Sequence, residues 1–174
     1  SLTITGTSKF LQIPSIFLEV GWGISERTAK FLANCGVSAI DVAGAGGTSW
    51  SQVEMYRAAE ELTRELAGTF VGWGIPTADS ILNVSKAAPK MTIFASGGIQ
   101  DGLDIAKCIA IGATLGGMAG TFLKPAAIST ENTVEMLELT KKQIKVTMFA
   151  VGADVLSALK TKKLIKVGTA NQSA

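Results

Sequence analysis

The feature that most constrains this chain is a repeated alternation. A short β-branched run meets a glycine turn, and a longer amphipathic stretch follows and ends in glycine. Ile16 to Val20 (IFLEV) predicts a buried strand, punctuated by Gly21-Trp22-Gly23. Ser25 is a good N-cap for a helix through about Asn34, and Gly36 closes it. Ala39 to Ala43 (AIDVA) is the next strand and runs into GAGG. Ser49 to about Leu66 is expected as one helix, with Val53, Tyr56, Ala59 and Leu62 on one face. After a loop containing Trp73-Gly74-Ile75-Pro76, Thr77 is expected to cap a helix running towards Ala87. Thr92 to Ala95 (TIFA) is a strand ended by Ser96-Gly97-Gly98, and Asp101 to Ile111 is a helix closed by Gly112. Leu115 to Met118 begins a fourth strand. Thr130 to Lys160 is mostly helical, interrupted at Gly152, with Val134, Leu137 and Ile144 on one face.

Strands alternating with helices imply βαβ units and a parallel sheet. A weak internal repeat supports this. Gly23-Ile24 leads through Ala29-Lys30 to Gly36 and a strand ending at Gly44; Gly98-Ile99 leads through Ala106-Lys107 to Gly112 and a strand ending near Gly120. Repeated βα units build (β/α)8 barrels of the TIM type. The expectation is an α/β chain in which residues 1–174 form a single, partial domain of four βα units, half a barrel. The opening segment SLTITGTSKFLQIP is too short to hold the other half. A half-barrel exposes two strand edges and an apolar face, which predicts a homo-oligomer or association with the missing half.

Composition narrows the function. The chain has 47% apolar and 6% aromatic residues, 19 glycines and a net charge of +2, which suits an α/β protein with tight turns. Lys and Arg are scattered, so no nucleic-acid partner is expected, and KTKK at Lys160 to Lys163 reads as a solvated tail. No run is long enough for a membrane span and no leader pattern opens the chain, so a cytoplasmic location is expected. Cys35 and Cys108 sit in apolar helical stretches and read as buried thiols rather than a disulfide framework. The chain has no histidine, which excludes Ser-His, Cys-His and His-metal mechanisms unless another chain supplies one.

Three glycine-rich turns follow strands: GAGGTS at Gly44 to Ser49, SGGIQDG at Ser96 to Gly102 and GMAGTF at Gly117 to Phe122. Glycine lets backbone approach a ligand, and amides at a helix N-terminus point at an anion. Ordinary βα turns use glycine as well. Neither the dinucleotide fingerprint nor the P-loop pattern is met.

The blocks LEVGWGIS, AIDVAGAGGTSW, WGIPTADS, ASGGIQDGLDIAKCIAIGA and GMAGTFLK resemble, in order and spacing, the type 2 isopentenyl-diphosphate isomerases. The resemblance runs from about Pro14 to Gly168, and GGTSW and SGGIQDGLDIAK are its distinctive parts. It implies FMN-dependent interconversion of isopentenyl and dimethylallyl diphosphate, with Mg²⁺ and a flavin kept reduced by NADPH. It also implies that Thr48, with Ala43 before it, contacts the FMN phosphate region. Gly98, Ile99 and Gln100 would bind phosphate through backbone amides, joined by Ala119 and Gly120. For Ala43 and Ile99, plain core packing is the competing reading.

Two departures stand out. Leu18 replaces a lysine that in the family reaches the flavin, and a cation there stabilises the anionic reduced form. Ala43 stands where a hydroxyl residue is often found. The family's substrate and metal residues lie upstream of Ser1, so no catalytic or metal-binding residue is assigned and the chain alone is expected to lack a complete substrate site. Glu19 and Asp41 are candidate acid/base groups, with ion pairing or capping as the commoner fate. Asp101 and Asp104 are explained by the helix dipole. Trp22, Trp50 and Trp73 adjoin turns at the ligand end, where packing and ligand contact are both open. Another FMN-dependent barrel oxidoreductase, such as a 2-hydroxy acid oxidase, is a second reading that the missing histidine disfavours. A non-catalytic flavin- or phosphate-binding half-barrel is a third.

Overall fold

The computed structural model describes residues 14–165, so the expectations for the opening segment through Ile13 and for the end of the resemblance near Gly168 lie outside the described residues. Four strands, β1 (Ile16–Leu18), β2 (Ala39–Asp41), β3 (Thr92–Ala95) and β4 (Leu115–Gly116), form one sheet in the order β1-β2-β3-β4. Every pairing is parallel, with Leu18 beside Asp41, Asp41 beside Phe94, and Phe94 beside Leu115. Between and after the strands lie α1 (Glu26–Asn34), α2 (Trp50–Arg57), α3 (Glu61–Thr69), α4 (Thr77–Ala87), α5 (Gly102–Ala110), α6 (Gly120–Ile128) and α7 (Thr130–Ala150). A 3₁₀ turn at Leu156–Thr161 packs on α5. These are four βα units of a parallel α/β fold, as the alternation predicts.

Side chains alternate across a strand, so the sheet has two faces. Ile40, Ile93 and Ala95 point to the helical side and are buried with Leu32 of α1, Ile81 and Val84 of α4, and Ile105 and Ile109 of α5. Ile16, Leu18 and Leu115 point the other way and stay 53%, 63% and 54% exposed. Among the described residues, one face is therefore a packed core and the other leaves large apolar side chains exposed at β1 and β4.

Ser25 caps α1 as predicted, its hydroxyl accepting the Thr28 amide at 3.2 Å. Other local expectations need correction. Residues 49–66 form two helices, because the backbone turns extended at Ala58. No residue of α2 or α3 is buried, and Tyr56 and Leu62 are 75% and 80% exposed, so no core holds the segment as one long helix. Thr77 is the first residue of α4 rather than its cap; Pro76 takes the cap position. Strands β1 and β4 are shorter than expected. Helix α6 follows the GMAGTF turn where no helix was expected, and it carries Pro125 within it.

Candidate phosphate-binding cleft

The three glycine turns lie side by side at the C-terminal ends of the strands and enclose a cleft of about 910 Å³. All seven residues singled out in the sequence line it: Ala43, Thr48, Gly98, Ile99, Gln100, Ala119 and Gly120. Val20, Trp50 and Thr121 join them.

The glycines do two different jobs. A Cβ on Gly98 would sit 2.6 Å from the carbonyl of Gly46, and one on Gly97 would sit 2.2 Å from the carbonyl oxygen of Gly44. Gly97 and Gly98 also have φ of 95° and 75°, which L side chains rarely adopt. These glycines let the first two turns pack backbone to backbone. Gly120 is different: an added Cβ there meets nothing within 4 Å, so its missing side chain leaves the cleft open.

Amide donors follow the same division. At α5, Asp101 accepts the Asp104 amide at 2.9 Å, Gln143 of α7 accepts the Gly102 amide at 2.8 Å, and Asp104 Oδ2 accepts the Gln100 amide at 3.3 Å. The Gln100 amide, expected to face an anion, is thus turned to a carboxylate. The amides of Gly98, Ile99, Ala119 and Gly120 find no acceptor among the described residues. Helix α6 begins at Gly120; its cap residue, Ala119, offers no side-chain acceptor, and its first turn carries no acidic residue. A helix end left uncapped beside a cleft presents positive partial charge and unpaired N–H groups.

Asp41 is committed to structure. Its Oδ1 accepts the Ser96 hydroxyl at 2.6 Å and the Ala43 amide at 3.2 Å, tying β2 to the SGG turn. Ala43 itself has φ of 29°, the sole left-handed non-glycine among the described residues, so the chain is strained where it enters the cleft. Glu19 accepts the Trp22 amide at 3.1 Å, and Trp50 Nε1 donates to the Val20 carbonyl at 2.6 Å. Trp73 packs edge-on against Phe70. Leu18 lies on the open face in register with Asp41. Sequence reasoning missed Thr121, whose hydroxyl donates to the Gln100 carbonyl at 3.0 Å and joins two of the turns. It also missed the Thr77 hydroxyl, which donates to the Gly97 carbonyl at 2.5 Å. Among the described residues no group of three or more Cys, Asp or Glu side chains could hold a metal, and no helix is long and apolar enough to cross a membrane.

Known proteins resemble this chain in sequence and in fold. Over 155 residues the chain is 45% identical to an isopentenyl-diphosphate delta-isomerase of Rickettsia bellii (strain OSU 85-389), covering 89% of this chain and 45% of that protein. Identity to the Rickettsia canadensis protein of the same name is 45% over 158 residues, 91% of this chain and 46% of the other. The chain therefore spans less than half the length of these curated relatives. Among solved structures it resembles mandelate oxidase with benzoyl-formic acid, with a TM-score of 0.62 at 18% identity, covering 86% of this chain and 38% of that one. Trypanosoma brucei GMP reductase gives 0.59 at 19% identity, over 86% and 32% of the two chains. At such identities the likeness speaks to the fold alone, and the fold is that of part of a TIM-type barrel. Residues 23–166 match the FMN-dependent dehydrogenase family, and the chain belongs to it.

Proposed function

We propose that this chain is the flavin-phosphate-binding half of a type 2 isopentenyl-diphosphate isomerase, acting in isoprenoid biosynthesis on isopentenyl and dimethylallyl diphosphate. The 45% identity to proteins of that name supports the substrate and reaction class. The observation that carries the cofactor is the convergence of two unpaired amide pairs, Gly98-Ile99 and Ala119-Gly120, on one cleft. A phosphate monoester needs several N–H donors without a competing carboxylate, and the uncapped start of α6 meets that need. Thr48 and Ala43 line the same cleft, where they would flank the rest of the FMN phosphate region. Bound in reduced form, the flavin would supply the acid/base group for the proton shift between the two diphosphates.

The residues present fit the FMN phosphate. Among the described residues no cluster of three or more acidic or thiol side chains offers a ligand set for Mg²⁺, so that ion and NADPH rest on the family reading. Leu18 places no cation beside the flavin, which supports weak reduced-flavin chemistry in this chain by itself. The open face around Leu18 and Leu115 supports completion of the barrel, by a second copy or by the remaining strands of such an enzyme. Two free cysteines fit a reducing, cytoplasmic setting.

Gly120→Leu tests the cleft, because the new side chain enters open space without backbone strain. Titrations should show the unaltered chain binding FMN at least about tenfold more tightly than riboflavin, roughly 1.4 kcal/mol. The variant should lose that preference while its thermal midpoint holds. Equal affinities for FMN and riboflavin in the unaltered chain would remove the phosphate cleft from the account.

A further inference from the structure

Helix α7 lines none of the cleft, yet it touches the end of the turn that carries the Gly98 and Ile99 amides. Its contact point is Gly102, the first residue of α5. A Cβ there would sit 2.4 Å from the Thr140 carbonyl oxygen and 2.8 Å from the Gln143 Cβ, so α7 rests directly on the α5 backbone. In that contact Gln143 Oε1 accepts the Gly102 amide at 2.8 Å, across 41 positions of sequence. Thr121 holds the same turn from its other side through the Gln100 carbonyl. The segment from Gly98 to Gly102 is thus held at Gln100 and at Gly102 by residues that follow β4.

The chemistry of the acceptor matters as much as its position. Asp101 and Asp104 already bring two carboxylates to the start of α5, and Lys107 offsets Asp104 through a 3.1 Å ion pair. A third carboxylate at this point would repel an anion seated on the neighbouring amides. An amide oxygen satisfies the Gly102 N–H without adding charge. We infer that Gln143 is a positioning residue for phosphate recognition: it anchors the SGGIQDG turn through an uncharged acceptor, keeping the Gly98 and Ile99 amides aimed into the cleft. This rests on the flavin-phosphate reading above and adds a determinant outside the cleft.

Two variants separate geometry from charge. Gln143→Glu keeps an acceptor for Gly102 and adds a negative charge, whereas Gln143→Met keeps the length and removes the acceptor. Affinities for FMN and riboflavin are measured on the full chain at low and high salt. Gln143→Glu should weaken FMN binding about tenfold at low salt, recover part of it at high salt, and leave riboflavin unchanged, because screening acts on the charge alone. Gln143→Met should weaken FMN several-fold at both salt concentrations. An FMN-to-riboflavin ratio unchanged in both variants would overturn the inference and leave the cleft reading intact. So would loss of folded structure in both, which would make Gln143 a residue of the fold. No FMN preference in the unaltered chain would overturn the cleft reading and this inference together.

Discussion

Single residues in this chain act mainly through what they leave room for or hold in place. Ser80, fully buried, accepts the Ile24 amide at 3.1 Å and donates to the Ile75 carbonyl at 3.3 Å, so one hydroxyl satisfies two loops. Cys108 on α5 shows a different residue-scale effect. Burial, with a smaller push from the Asp104 carboxylate and a partial offset from Lys107, raises its thiol from 9.0 to about 11. In the unfolded chain the thiol ionises near the lower value, so between pH 9 and 11 the folded state keeps a proton that the unfolded state has lost. Stability contributed by this group is therefore complete below pH 9 and declines as pH rises through that window. Urea unfolding across pH 8 to 11 should show a shallower decline in Cys108→Ala than in the parent chain. Parallel curves would mean the thiol ionises alike in both states.

At the scale of elements, helices divide by how they are held. Helices α1, α4 and α5 each bury an apolar stripe against the sheet, whereas α2 and α3 pack mainly on each other and bury no side chain. Their hydrogen bonds should open without disturbing the core. Hydrogen exchange should show the amides from Gln52 to Thr69 exchanging well before those of α4 and α5. Equal protection in the two sets would show that the hairpin is bound into the cooperative core. The difference has a functional side, because Trp50 at the start of α2 lines the cleft. A mobile hairpin would change the cleft wall without moving the amides of α5 and α6.

The whole molecule is set by its unequal faces. Parallel strands are ordinarily covered on both sides, and among the described residues Ile16, Leu18 and Leu115 on one side stay exposed while β1 and β4 have no further strand beside them. Apolar burial contributes about 25 cal/mol per Å², so covering such a face drives association. Sedimentation of the purified chain should show a dimer or larger species, and Leu18→Glu with Leu115→Glu should shift it towards monomer. A monomer in the parent chain at micromolar concentration would defeat the argument for pairing through this face.

Much of this was legible in the sequence, because backbone-level constraints are local. Glycine turns after β-branched runs marked where strands end, and Ser25 and Asp101 marked where helices begin, since turn conformation and capping depend on a few adjacent residues. The family resemblance named seven residues in or beside those turns, and all seven line the cleft. Tertiary structure decided the rest. Periodicity could not show that the face carrying Tyr56 and Leu62 meets no core, so one expected helix became two. Helix α6, whose uncapped start helps to form the cleft, was not expected after the GMAGTF turn. Gln143, Thr121 and the Asp41–Ser96 bond work across 41, 21 and 55 positions, and such contacts leave no periodic trace. The reason is physical: local sequence sets which conformations each segment can adopt, but which groups meet depends on how the packed core brings distant segments together.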